Sequence, residues 1–274
     1  MSIIIVSSDS HELGLEIARK TAARLNYGLA GREILDKVSK KYNIDNKKLA
    51  RVLEEPPAVW ALPSKLWNRY MAYIQEAVLA ELVKDNVVCQ GLSARLYVLG
   101  ISHALRVRVL EDPENEIAQL TRQGGISRAK AEKLIERRKN NRRRWSMQAF
   151  GLDETDASQY DLAISLSQID SDEAVKIITD TVAYRRFNPM TYSISCIQDL
   201  ELAGRVRAAL LDEFPDIRVK ARNGTLVVET KVLRREKKKK TEAIKKSAGE
   251  VPGVEYVEVH AFNDFFRQAA ESFR

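Results

Sequence analysis

At 274 residues, with 45% apolar and 30% charged side chains, the chain is long enough to bury one large core or two and lacks the composition of a disordered protein. No stretch approaches the run of about 18 apolar residues that crosses a bilayer, and the opening MSIIIVSS has neither the cationic nor the apolar region of an export signal, so a cytoplasmic location is expected. The two cysteines, Cys89 and Cys196, have no metal-ligand spacing and are read as reduced, buried thiols, whereas a net charge of +7 favours an anionic partner: nucleotide, nucleic acid or membrane surface.

In chain order, Ile3 to Val6 reads as a short buried strand that feeds a polar turn and a helix with Leu13, Ile17 and Ala18 at helical spacing. Asp9 and Glu12 read as a capping box, which starts the helix near Ser10. A phosphate-binding loop belongs at such a place, because the amides of a helix N-terminus face an anion. Yet there is no GxxxxGK[ST], the one glycine is Gly14, and Asp9 and Glu12 bring negative charge. Asn26 to Gly31 is expected as a turn, and GREILDKVSKKYNI as the start of another helical stretch. Pro56, Pro57 and Pro63 interrupt the pattern in an exposed PPAVWALP. From Ser64 a long helix carries Trp67, Met71, Ile74, Val78 and Leu82 on one side, a stripe read as core or as a subunit interface of a homo-oligomer.

VVCQG and Leu105 to Leu110 read as further buried strands, separated from YDLAISL, another strand, by a helix opening at Pro113 and an Arg- and Lys-rich helix capped by Ser127. A helix with Ala174, Ile177, Ile178 and Val182 on one face follows. Strands alternating with helices predict an α/β fold with a mostly parallel sheet. RRFNP, Arg185 to Pro189, reads as a linker into a smaller α+β unit. There TYSISC is read as a strand and Leu200 to Leu211 as an amphipathic helix. Asn223-Gly224 joins a hairpin, and VEYVEVHAF follows a basic helix as a last strand.

Three segments together resemble the cytidylate-kinase-like branch of the nucleoside monophosphate kinases, over roughly Met1 to Ala183: GREILDKVSKKYNI, VVCQGLSARLYVL, and GISRAKAEKLIERRKNNRRRW with the later YDLAISLSQI. The resemblance implies a parallel-sheet, P-loop-kinase-like domain flanked by helices over residues 1–187. It also implies transfer of the ATP γ-phosphoryl group to a pyrimidine monophosphate, with ATP and Mg2+ as cofactors if activity is retained. It places a monophosphate-binding arginine at Arg32 and lid arginines at Arg142, Arg138 and Arg144, since a guanidinium fork offers a phosphate parallel donors. Arg95 lies close enough to substitute in part for a turn arginine that Leu92 replaces after Gly91. Ser10 and Gly14 complete the candidate phosphate- and nucleotide-binding set, with no metal ligand and no catalytic residue designated.

The chain departs from the family pattern where SDSHELG replaces the glycine-rich loop and Lys139 the lid acid. Residues 188–274 contain a stretch, Asp199 to Phe262, that resembles a BON domain in its helix DLELAGRVRAALL, its Asn223-Gly224 hairpin and its Pro252-Gly253-Val254 turn. That resemblance implies a protein or anionic lipid partner. Two functions therefore stand: a kinase for a CMP-like nucleotide, or a non-catalytic nucleotide-sensing module coupled to a BON-like domain. Nucleic acid is disfavoured, because beyond Trp145 no aromatics interleave with the basic runs Arg137 to Arg144 and Arg234 to Lys240.

Overall fold

The computed structural model describes residues 2–55 and 64–263; the PPAVWALP reading falls outside them. The chain opens with strand β1 (Ile3–Ser8) and helix α1 (His11–Leu25), followed by β2 (Gly28–Ala30), α2 (Glu33–Tyr42), α3 (Asn46–Glu54) and α4 (Ser64–Leu82). Next come β3 (Val87–Gln90), α5 (Ala94–Tyr97), β4 (Ala104–Leu110), α6 (Pro113–Gly124), α7 (Arg128–Phe150), β5 (Leu162–Ser165) and α8 (Ser171–Val182). The five strands form one wholly parallel sheet in the order β2-β3-β1-β4-β5, with Ile3 beside Val87 on one side and Ala104 on the other.

β1 sits at the centre because it can be buried on both faces. Ile3 and Ile5 point into the core formed with α2, α3 and α4, whereas Ile4 and Val6 point into the core under α1 and α8. All four are fully buried, worth about 1.5–3 kcal/mol apiece. The stripe on α4 is core: Trp67, Met71, Ile74, Val78 and Leu82 are all buried.

Residues Asn26 to Gly31 are more than a turn. Asn26, in the left-handed conformation, stops α1, and Gly28 to Ala30 then pair with Val87 to Cys89 as an edge strand. The helix predicted from Asp9 is capped by Ser10 instead, and Asp9 is drawn elsewhere; a full capping box stands at α8, between Asp170 and Glu173. The expected linker at Arg185 to Pro189 contains a short 3-10 turn whose Phe187 is buried against the α1–α8 side of the sheet.

The C-terminal elements are α9 (Thr191–Leu210), β6 (Arg218–Arg222), β7 (Thr225–Val232), α10 (Lys237–Gly249) and β8 (Tyr256–Asn263). β6 and β7 are antiparallel, joined by Asn223 and Gly224, both at positive φ as the hairpin requires, while β8 returns parallel to β7 after α10. TYSISC is not a strand but the first turns of α9. Its apolar periodicity becomes visible only when Ser193, Ile197, Gly204 and Ala208, buried on one side, are read together with Leu202, Val206 and Leu210 on the other. One side packs on α4, where a Cβ on Gly204 would come 3.2 Å from Leu79 Cδ1; the other covers the small sheet. Arg69 and Tyr73 of α4 both bind Asp212, just past α9, and the His103 ring binds Ser193 Oγ of α9, so this helix and the turn after it are also tied to the N-terminal elements by polar contacts. Among the described residues no helix is long and apolar enough to cross a membrane.

Candidate functional site

In an open parallel sheet, ligands bind at the carboxyl ends of the strands. Here β1, β3 and β4 end at Ser8, Gln90 and Leu110, and only Asp9 and Ser10 connect β1 to α1. Ser10 Oγ accepts a hydrogen bond from the Leu13 amide at 3.4 Å, so its hydroxyl serves the helix. Gly14 lies where α1 presses on the strand ends: a Cβ there would stand 2.8 Å from Ser8 Cβ and 3.2 Å from Gln90 Nε2. The Asp9 carboxylate accepts a hydrogen bond from Arg108 of β4, whose guanidinium is almost wholly buried opposite Ser7. A loop that cradles a phosphate turns several consecutive amides inward. Two residues, one of them an acid held on an arginine, do not make that cradle.

Several carboxyls crowd the loop mouth. Burial first, and then the charges of Glu116, Asp9, Asp112 and Glu12, push the Glu111 carboxyl above the usual glutamate range. Burial and Asp9 do the same to Glu116, against the pull of Arg138. A triphosphate would bring further negative charge to carboxyls whose ionisation is already disfavoured. Among the described residues no cluster of His, Cys, Asp and Glu is arranged to hold a metal ion. His11, exposed at the helix start, has its pKa lowered by partial burial and by Arg32, which leaves the ring neutral near pH 7.

Arg144 apart, the candidate arginines each have their own partners. Arg95, on α5, is buried: it donates to the Gln159 and Asp153 carbonyls and the Gln159 side chain, with its guanidinium 4.7 Å from the Tyr160 ring centre. Arg142 donates to the Leu53 carbonyl and Ser93 Oγ, lies over Trp145, and meets the buried Glu154 carboxylate at 2.5 Å, a charge contact rather than an aligned hydrogen bond. Both arginines therefore fasten the segment between α7 and β5 to the body of the fold. Arg32 is more than half exposed and pairs with Glu54 at 2.8 Å. Arg138 is exposed on α7 and faces Glu116, and Arg144 is exposed with no hydrogen bond or ion pair among the described residues.

Sequence reasoning missed Arg108, Gln90, Glu111 and Glu116. A signal for Arg108 existed: in ALRVRVL the apolar residues alternate with Arg106 and Arg108, which places both arginines on one face of a strand otherwise built for the interior. Arg106 finds Asp161 at 2.8 Å, but nothing near in sequence pairs with Arg108, because its partner lies 99 positions earlier.

The cytidylate kinase-like family matches residues 3–168. Among solved structures, an uncharacterized protein from Eubacterium ventriosum is similar at 18% identity and a TM-score of 0.49, covering 68% of this chain and all of that one. The shikimate kinase from Bacteroides thetaiotaomicron is similar at 10% identity and a TM-score of 0.42, covering 67% of this chain and 99% of that one. No curated protein matches. Since the family match spans more than half of the chain and takes in all five strands of the parallel sheet, the chain belongs to the cytidylate kinase-like family.

Proposed function

We propose that this chain is a non-catalytic member of its family, a nucleotide-sensing module made of a kinase-like domain over residues 1–187 and a BON-like unit over residues 188–274. The observation that carries this reading is the Asp9–Arg108 pair in a two-residue loop, which sets a carboxylate where a kinase needs amides and positive charge. Phosphoryl transfer from ATP to a pyrimidine monophosphate, the activity implied by the family, depends on neutralising phosphate oxygens, and the acidic loop mouth opposes that.

The exposed candidates beside the loop are Arg32, at the start of α2 and within electrostatic reach of His11, and Arg138, on α7 and within reach of Glu116. These two take the phosphate of a CMP-like nucleoside monophosphate. Occupancy is passed to the BON-like unit through α4 and α9, whose packing at Leu79 and Gly204 leaves little freedom between the two parts. Calorimetric titration of CMP into the full chain tests the binding half of this proposal. Saturable binding that weakens about a hundredfold or more in an Arg32→Ala, Arg138→Ala double variant is expected, since each charge-assisted hydrogen bond is worth about 1.5–3 kcal/mol. Absence of CMP binding, or binding unaffected by the double variant, rejects it.

A further inference from the structure

The C-terminal sheet has one covered face and one open face. α9 and α10 lie on Leu226, Val228 and Val257, while the residues that alternate with these point away from both helices. In register, the open face reads as rows across the three strands. Arg222 lies opposite Thr225 and Tyr256; Lys220 opposite Val227 and Glu258; Arg218 opposite Glu229 and His260; and Lys231 opposite Phe262. Tyr256 and Phe262 are 59% and 55% exposed, large values for aromatic side chains inside a strand. Every row that contains a ring also contains a cation: Arg222 with Tyr256, Arg218 with His260, Lys231 with Phe262.

We infer that this face binds single-stranded nucleic acid, with bases stacked on the rings of β8 and phosphates held by the cations of β6 and β7. Sheets that bind single strands combine these two elements, a stacking platform and a cationic track beside it. The dimensions suit an extended strand, because successive rows are about 7 Å apart and the β6 cations stand about 10 Å from the β8 rings. Charge selects the occupant. Arg218, Lys220, Arg222 and Lys231 form no ion pair among the described residues, whereas the face has two carboxylates, Glu229 and Glu258, the second of them 2.7 Å from His260. A second copy of the chain would set the same four cations against one another. This surface has no signature in the sequence because its aromatics lie well apart along the chain from both basic runs, and Trp145, the aromatic that does adjoin one, is buried with its Nε1 donating to the Val52 carbonyl.

The test is fluorescence anisotropy of the full chain with a labelled uridine oligonucleotide and its thymidine counterpart, over a range of salt concentrations. Binding is expected to weaken with salt, and combining Arg218→Gln, Lys220→Gln and Arg222→Gln should reduce the slope of log K against log salt by about 2, or ~0.7 per phosphate contact. Tyr256→Ala and Phe262→Ala should each weaken binding about tenfold, the worth of one stacked base. The substituted side chains are exposed, so unchanged thermal unfolding of each variant will show that it is folded. Tighter binding of the uridine strand assigns RNA as the ligand, and equal binding assigns either polymer. No binding of either oligonucleotide overturns the inference. So does binding that survives all five substitutions, which would place it on the basic helices, or self-association of the chain that Phe262→Ala abolishes.

Discussion

Replacing Asp9 by Asn keeps the size of the side chain and removes the charge that faces Arg108. The Arg108 side chain is 5% exposed and the Asp9 side chain 34%, so the substitution strands a buried guanidinium without an anion. Breaking a fully buried pair from one side costs about 3–5 kcal/mol. Because a third of the Asp9 side chain is in contact with water, the expected loss is smaller, about 2 kcal/mol, or a fall of roughly 4–8 °C in Tm for a chain of this length. Urea unfolding followed by circular dichroism measures it. The discriminating comparison is with the pair removed from both sides. Asp9→Asn combined with Arg108→Met replaces an ion pair by a polar and an apolar side chain of similar volume, and should recover most of the loss. If Asp9→Asn is as stable as the parent, or if the double variant is less stable than the single, Arg108 is not held by Asp9 and the description of the loop is wrong.

Gly14→Ala should destabilise by about 1–3 kcal/mol, measured by the same unfolding experiment, because the close approach to Ser8 Cβ outweighs the helix propensity that alanine adds. Arg142→Ala should lower stability by up to about 3–5 kcal/mol, since it leaves Glu154, 2% exposed, without its cation, and adding Glu154→Gln should restore part of it; a loss of CMP affinity at unchanged stability would return Arg142 to the lid role the sequence suggested. Glu111 and Glu116 have folded pKa values raised above the unfolded ones, so they favour the folded state while protonated and oppose it once pH rises through the folded pKa. Glu111→Gln with Glu116→Gln should therefore raise Tm at pH 7, and the gain should shrink as pH falls towards 4, where the parent carboxyls are protonated.

The larger sheet was readable because burial on both sides writes a parallel strand as an apolar run, as IIIV and VVC show. Where an element serves two cores, the pattern blurs. α9 has small or apolar residues facing both α4 and the small sheet, so its first turns look like a strand in isolation. The edge strand β2 has too few residues to show any period. At the candidate site, the absence of the usual loop glycines and lysine is legible in the sequence itself, and Ser10 and Gly14 lie at the turn from β1 into α1. The fate of the arginines was not. Charge at a given position says nothing about whether a carbonyl or a carboxylate remote in sequence, such as the Leu53 carbonyl or Glu154 for Arg142, satisfies it inside the fold. The ties that decide the matter, Asp9 with Arg108 and Arg95 with Gln159, join residues far apart in the chain.

The most direct test of the non-catalytic reading is a calorimetric titration of ATP with magnesium into the full chain, followed on the same sample by an ADP-release assay with CMP present. The closed, acidic loop predicts no saturable heat from ATP and ADP release equal to that of a protein-free control. Saturable ATP binding together with CMP-dependent ADP release would contradict it.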